Sequence, residues 1–124
     1  MENLTIEKTK VTPAVNFQAE SGVLEIAGES YPENSMQFYQ PVFKWLADYL
    51  ASGKTEIVFN FKLEYFNTSS SKCVLNILET LETANAGGVK VALNWHYRED
   101  DDDMLESGQE FAEDMTLPFN FIPY

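Results

Sequence analysis

The sequence predicts an α/β fold, a mixed sheet of four to five strands with about three helices, and three observations carry that prediction. Ile57, Phe59, Phe61 and Leu63 alternate with more polar residues, interrupted only by Val58, which is the period of a strand. Cys73, Val74, Ile77, Leu78, Leu81 and Ala84 then recur at three- and four-residue spacing, the period of a helix. Val89, Val91, Leu93 and Trp95 alternate again. The resulting β-α-β-α-β order implies parallel neighbours joined by right-handed crossovers.

Taken in order, residues 1–13 are polar, with Thr5, Thr9 and Thr12 ahead of Pro13, and are read either as a short edge strand or as a loosely held arm. Val15-Asn16-Phe17 alternates briefly, Glu20-Ser21-Gly22 supplies a turn, and Val23-Leu24-Glu25-Ile26-Ala27 forms a second strand ending at Gly28. A β-hairpin therefore opens the domain. Tyr31-Pro32-Glu33-Asn34-Ser35 reads as a loop feeding a helix, with Asn34 as cap and Gln37 three residues later, as in a capping box. That helix runs to about Ser52: Phe38, Val42, Trp45, Leu46 and Tyr49 line one face, and Ser52-Gly53 stops it. Pro41 near its start is expected either to be accommodated in or just beyond the first turn, or to kink the helix there or delay its regular part.

The strand at 56–63 is followed by a helix at about 69–86, closed by Asn85-Ala86-Gly87-Gly88, residues able to adopt left-handed geometry. After the 89–95 strand, Arg98-Glu99-Asp100-Asp101-Asp102-Asp103 leads into a third helix with Met104, Leu105, Phe111 and Ala112 as its apolar residues, weakened by Gly108. Leu117-Pro118-Phe119-Asn120-Phe121-Ile122 adds a last strand, Pro118 favouring its start or a sheet edge. No repeat or linker interrupts the chain, so residues 1–124 are read as a single domain.

Composition narrows the function classes. The chain has 124 residues, 44% of them hydrophobic, enough for a real core. Twenty acidic against eight basic residues give a net charge of −12 and a pI near 4.3. That balance opposes a hold on a phosphate backbone, so neither nucleic acid nor an anionic membrane is expected as a partner. No run approaches the roughly 20 apolar residues of a membrane span. Met1-Glu2-Asn3-Leu4 lacks the basic and apolar regions of a signal peptide, and a lone Cys73 allows no internal disulfide. A soluble, cytoplasmic, reduced protein is expected.

Chemistry-bearing groups are sparse. Cys73 and His96 are the sole thiol and imidazole, but helical phase puts Cys73 on an apolar face and no third orienting group accompanies them. Asp100 to Asp103 lacks the glycine and terminal glutamate spacing of a calcium loop, and like charges at a helix start complement the dipole. Gly87-Gly88 follows a helix and precedes a strand, the reverse of a phosphate-binding loop. Glu79 and Glu82 face outward by phase. No catalytic residue, cofactor or metal site is expected, and a small enzyme using Cys73 or the acidic cluster is the disfavoured class.

Thr68-Ser69-Ser70-Ser71 stands at the junction of strand and helix, where unpaired N–H groups need caps and the dipole favours negative charge. Capping alone accounts for Ser and Thr at such a place, so the pattern by itself leaves capping and phosphorylation both open.

The order of elements resembles the STAS domains of anti-sigma-factor antagonists. Over essentially its whole length the chain resembles more closely the SiaC-type regulatory phosphoproteins, a STAS-like family. Four stretches carry the resemblance: Gly28-Glu29-Ser30-Tyr31-Pro32-Glu33-Asn34-Ser35, Phe66-Asn67-Thr68-Ser69-Ser70-Ser71-Lys72, Val91-Ala92-Leu93-Asn94-Trp95-His96-Tyr97, and Glu110-Phe111-Ala112-Glu113-Asp114 with Pro118-Phe119. The resemblance implies a STAS-like fold and a partner-switching role, with Thr68 as the modified threonine. It further implies a serine/threonine kinase that brings ATP and Mg²⁺, a PP2C-type phosphatase, and a diguanylate cyclase activated by the unmodified protein in c-di-GMP signalling that governs biofilm formation and aggregation. For the broader antagonists the target is an anti-sigma factor and the output transcription. Loops leaving parallel strands share one end of a sheet. The partner surface is therefore expected to combine Tyr31, Pro32, Glu33, Asn34 and Ser35 with Asn67, Ser69 and Ser70.

Overall fold

In the computed structural model, which describes residues 1–124, the alternating segments assemble into one six-stranded sheet whose strands lie in chain order. β2 (Ala14–Gln18) runs antiparallel to both of its neighbours, β1 (Leu4–Ile6) and β3 (Val23–Ser30). β4 (Glu56–Phe66), β5 (Lys90–Tyr97) and β6 (Phe119–Pro123) each run parallel to the strand before. α1 (Ser35–Ala51), α2 (Thr68–Ala86) and α3 (Asp102–Glu113) form the three crossovers. The α/β class holds, with six strands in place of four to five. The additional strand is β1: of the two readings of residues 1–13, the edge strand is correct. Its approach is fastened by the Ala19 N–H donating to Asn3 Oδ1 (2.8 Å) and the Trp45 indole donating to the Glu2 carbonyl (2.8 Å). Neither bond is visible in the local polar composition.

Strands laid down in chain order, joined by crossovers of one hand, put every helix on the same face of the sheet. The register agrees. Phe17, Leu24, Phe59, Leu93 and Phe119 are successive cross-strand partners, as are Val15, Ile26, Phe61, Trp95 and Phe121. These side chains meet Tyr39, Val42 and Leu46 of α1 and Cys73, Val74, Ile77, Leu78 and Leu81 of α2 in one continuous core. The opposite face has no helical layer and is polar. There the Asn94 amide donates to Asn60 Oδ1 (2.9 Å) and the Asn120 amide to Asn94 Oδ1 (3.1 Å), while Lys62 pairs with Glu25 (3.2 Å) and Arg98 with Glu64.

Two strands outrun their expected ends. β3 continues past Gly28 to Ser30 and β4 past Leu63 to Phe66. Gly28, at φ 118°, faces Leu63, and the next pair is Glu29 with Tyr65, so β4 carries one extra residue there. The extra residue reverses the facing of β4: Tyr65 turns outward, 51% exposed, and Phe66 turns in against Trp95 and Phe111. α1 begins at Ser35 as expected, and Pro41 lies inside it, just beyond the first turn, with the regular helix not delayed.

The third helix has its own logic. The Asp101 carboxylate accepts from the Met104 N–H (3.0 Å) and caps α3, and Asp102 and Asp103 lie in the first turn at the positive end of its dipole. Gly108, expected to weaken the helix, is where α3 meets Trp95. A Cβ there would stand 2.6 Å from the indole, whose Nε1 donates to the Met104 carbonyl (3.0 Å). Glu82, expected to face solvent, reaches across to the segment before β6. Its carboxylate accepts from the Thr116 N–H (2.9 Å), the Thr116 hydroxyl (2.9 Å) and the Leu117 N–H (2.7 Å).

Gly108→Ala should destabilise the fold by about 1–3 kcal/mol, the cost of overpacking, despite alanine's better helix propensity; urea unfolding measures this, and an unchanged midpoint would mean that the indole yields. The backbone bonds from Thr116 and Leu117 hold the Glu82 carboxyl below its ordinary value of 4.5. Its stabilisation is therefore present above that value and is lost as pH falls through the lower, folded-state value. Glu82→Ala should lower the melting temperature at neutral pH, and the gap from wild type should close on acidification.

Candidate functional site

β3 and β4 end side by side, and from there the chain passes into α1 and α2. The two helices are capped alike at their starts. Asn34 Oδ1 accepts from the Gln37 N–H (3.1 Å) and Asn67 Oδ1 from the Ser70 N–H (2.9 Å), each asparagine being extended as an N-cap must be. The expectation that these two loops are neighbours is met through side chains. Ser30, Ser35, Ser69, Ser70 and Tyr39 join in a chain of hydroxyl contacts between 2.7 and 3.2 Å long.

The direction of that chain follows from proton counting, since each hydroxyl has one proton to give. Ser30 donates to Ser70 (2.8 Å) and Ser69 donates to Asn67 Oδ1 (3.2 Å). Tyr39 must then donate to Ser30 (2.7 Å), Ser35 to Ser69 (2.7 Å), and Ser70 to Ser35 (3.2 Å). Protons therefore point one way, from Tyr39 in the core through four serines to the cap of α2. Burial pushes the Tyr39 phenol up to about 12, so it stays protonated and remains a donor. Ser30 and Ser70 are 0% exposed, and at such depth an unpaired hydroxyl is costly.

Thr68 is outside this network. It is the first residue of α2, exposed, and its hydroxyl has no hydrogen-bond partner. Ser71, half-buried, lines a groove of about 200 Å³ with Phe66, Leu75 and Phe111. A wider groove of about 690 Å³ lies on the other side, lined by Glu33, Asn34, Ser35, Met36, Phe38 and Ser69. Exposed apolar side chains frame this end of the sheet. Tyr31 packs edge-on against Tyr65 (5.7 Å between ring centres), and Met36, 50% exposed, lies with its sulfur 3.7 Å from that of Cys73. Leu75 stands one further turn along α2.

Of the residues expected to form a partner surface, Tyr31, Glu33, Asn34 and Ser69 are exposed and Asn67 is half-exposed. Pro32, Ser35 and Ser70 are buried, a correction to their expected place at the surface: they support it from beneath. Met36, Tyr65 and Leu75 were missed. Met36 and Leu75 are apolar residues out of phase with their helices' buried faces, a signal that was there to read; Tyr65 depends on the extra residue in β4. Cys73 and His96 are separated by the sheet. Burial pushes the Cys73 thiol up, while burial and the Lys62 charge push the His96 imidazole down. His96 lies on the open face, 3.2 Å from Asn60 Oδ1.

The family model described as SiaC family regulatory phosphoprotein matches residues 6–124. The chain belongs to the SiaC family. A protein of Pseudomonas aeruginosa strain UCBPP-PA14 is 40% identical over 119 residues, 96% of this chain and 94% of that one. The crystal structure of apo-SiaC from Pseudomonas aeruginosa is similar with a TM-score of 0.92 at 39% identity, covering 98% of this chain and 99% of that chain. A crystal structure of the diguanylate cyclase SiaD in complex with its activator SiaC, from the same organism, matches with a TM-score of 0.94 at 38% identity over 98% and 99% of the two chains. The STAS-like α/β fold expected from the sequence agrees with these structures.

Ser70→Ala should cost about 1–3 kcal/mol, because it strands the Ser30 proton and the Ser35 oxygen in the interior. Ser71→Ala, which breaks no side-chain bond, should be nearly neutral. Chemical denaturation of the two variants checks the contrast.

Proposed function

We propose that this chain is a cytoplasmic partner-switching regulator, itself without enzymatic activity. In this reading a serine/threonine kinase phosphorylates Thr68, a PP2C-type phosphatase removes the phosphate, and the unmodified form binds and activates a diguanylate cyclase. The observation that carries the reading is the state of Thr68. Alone among the hydroxyl residues of its turn it is both exposed and free of side-chain partners, and Ser69 and Ser71 nearby line two separate grooves. Membership of a family of regulatory phosphoproteins supports it, as does a relative that activates a cyclase. ATP and Mg²⁺ belong to the kinase.

The physics suits a switch. Phosphate adds about −1.5 to −2 charges and strong acceptor oxygens. On Thr68 these oxygens face the positive end of the α2 dipole, and Lys72 follows one turn later, so the fold has no reason to open. A partner seated on Tyr31, Glu33, Asn34, Asn67 and Ser69, with Met36, Tyr65 and Leu75 as apolar anchors, would have to bury the dianion. An unpaired buried charge costs several kcal/mol, and each 1.4 kcal/mol is tenfold in affinity.

Incubation with the cognate kinase and ATP should place one phosphate on the protein, absent from Thr68→Ala. The phosphorylated form should bind the cyclase about a hundredfold more weakly or worse, with a melting temperature within a few degrees of the unmodified form. Equal affinity of the two forms would sink the switch, and capture of an anti-sigma factor instead of a cyclase would move the output to transcription. Tyr65→Ala should weaken cyclase binding about tenfold, an effect of 1.4 kcal/mol, without altering phosphorylation.

A further inference from the structure

Four hydroxyl residues stand in succession at the start of α2, and a kinase that reached Thr68 would meet Ser69 next to it, also exposed. Exposure does not separate the two. Their hydrogen bonding does. Phosphoryl transfer forms a bond between the side-chain oxygen and the γ-phosphorus of ATP, breaks the β–γ anhydride bond, releases ADP and passes the hydroxyl proton to the kinase's base. The acceptor oxygen must therefore have a free lone pair facing phosphorus and a proton free to leave. Thr68 meets both conditions. Ser69 is held on both counts: its proton is given to Asn67 Oδ1 (3.2 Å), and one of its two lone pairs takes the proton of Ser35 (2.7 Å), which fixes the oxygen against α1 and with it the direction of the lone pair left over.

Resting on the reading of Thr68 as the phosphorylated residue, we propose that Ser35 is a specificity determinant, whose hydroxyl holds Ser69 Oγ against α1 and so confines modification to Thr68. Ser35 is 4% exposed and comes from a different helix, so the restraint acts across the junction of α1 and α2. Rotating Ser69 outward would leave the Ser35 proton without an acceptor in a buried place. Removing the Ser35 hydroxyl releases that constraint. Ser69 then keeps only the longer bond to Asn67 at the solvent edge. The Ser30–Ser70 bond lies deeper in the same network and does not touch Ser69.

The test maps phosphate by mass spectrometry after incubation with the cognate kinase and ATP, on wild type, Thr68→Ala, Thr68→Ala/Ser35→Ala and Thr68→Ala/Ser30→Ala. Wild type should carry phosphate on Thr68 alone, and Thr68→Ala should carry almost none. Thr68→Ala/Ser35→Ala should gain phosphate on Ser69 at about ten times the rate seen in Thr68→Ala, while Thr68→Ala/Ser30→Ala should not. The Ser30 arm breaks the same network from below, so it separates release of Ser69 from general loosening, and melting curves show that each variant is folded. No gain at Ser69 in the Ser35 variant, or an equal gain in the Ser30 variant, overturns the proposal while leaving Thr68 as the modified residue. Wild type modified elsewhere, or not at all, overturns the reading of Thr68 and this proposal with it.

Discussion

The bond between Ser30 and Ser70 is the point from which the functional end of the molecule is organised. One hydroxyl ends β3 and the other lies in the first turn of α2, both wholly out of solvent. Hydrogen bonds between neutral hydroxyls contribute modestly to stability, but a buried hydroxyl without its partner is expensive, and that asymmetry makes the geometry hard to vary. Ser70 in turn donates to Ser35, so the same few atoms fix the start of α1 relative to the start of α2. The exposed residues above, Thr68 among them, stand on this buried, hydrogen-bonded base.

That base exists because two strands extend further than their hydrophobic alternation. The extra residue of β4 opposite Gly28 and Glu29 brings Ser30 and Phe66 level, and the Asn67 N–H then donates to the Ser30 carbonyl (3.0 Å). The same irregularity turns Tyr65 out beside Tyr31. A single register change thus seats Ser30 under α2 and gives the rim an aromatic pair.

The sheet shows a related economy. With strands in chain order all helices share one face, and the alternation in β3, β4 and β5 is the consequence: a parallel sheet covered on both faces would read as continuous apolar runs. The uncovered face is held by amide-to-amide bonds from Asn60 through Asn94 to Asn120 and by ion pairs. Cys73 belongs to the helical layer and His96 to this open face, so the sheet lies between the one thiol and the one imidazole.

Periodicity alone determined the class, the helices and nearly all of the core, because burial of one face imposes its spacing wherever an element is regular. Leu24, Ile26, Phe59, Phe61, Leu93 and Trp95 are buried where alternation puts them. The caps Asn34 and Asn67 are local chemistry, and Asn34 was readable as such. Resemblance, rather than physics, separated Thr68 from the three serines after it. Tertiary structure decided what depends on contacts between distant segments: that residues 4–6 pair as an edge strand, that Gly108 makes room for Trp95, that Glu82 holds the approach to β6, and that Ser35 and Ser70 lie inside while Tyr65 lies outside. None of these has a period. Each is fixed by a partner some ten to forty residues away, a distance across which side-chain phase carries no information.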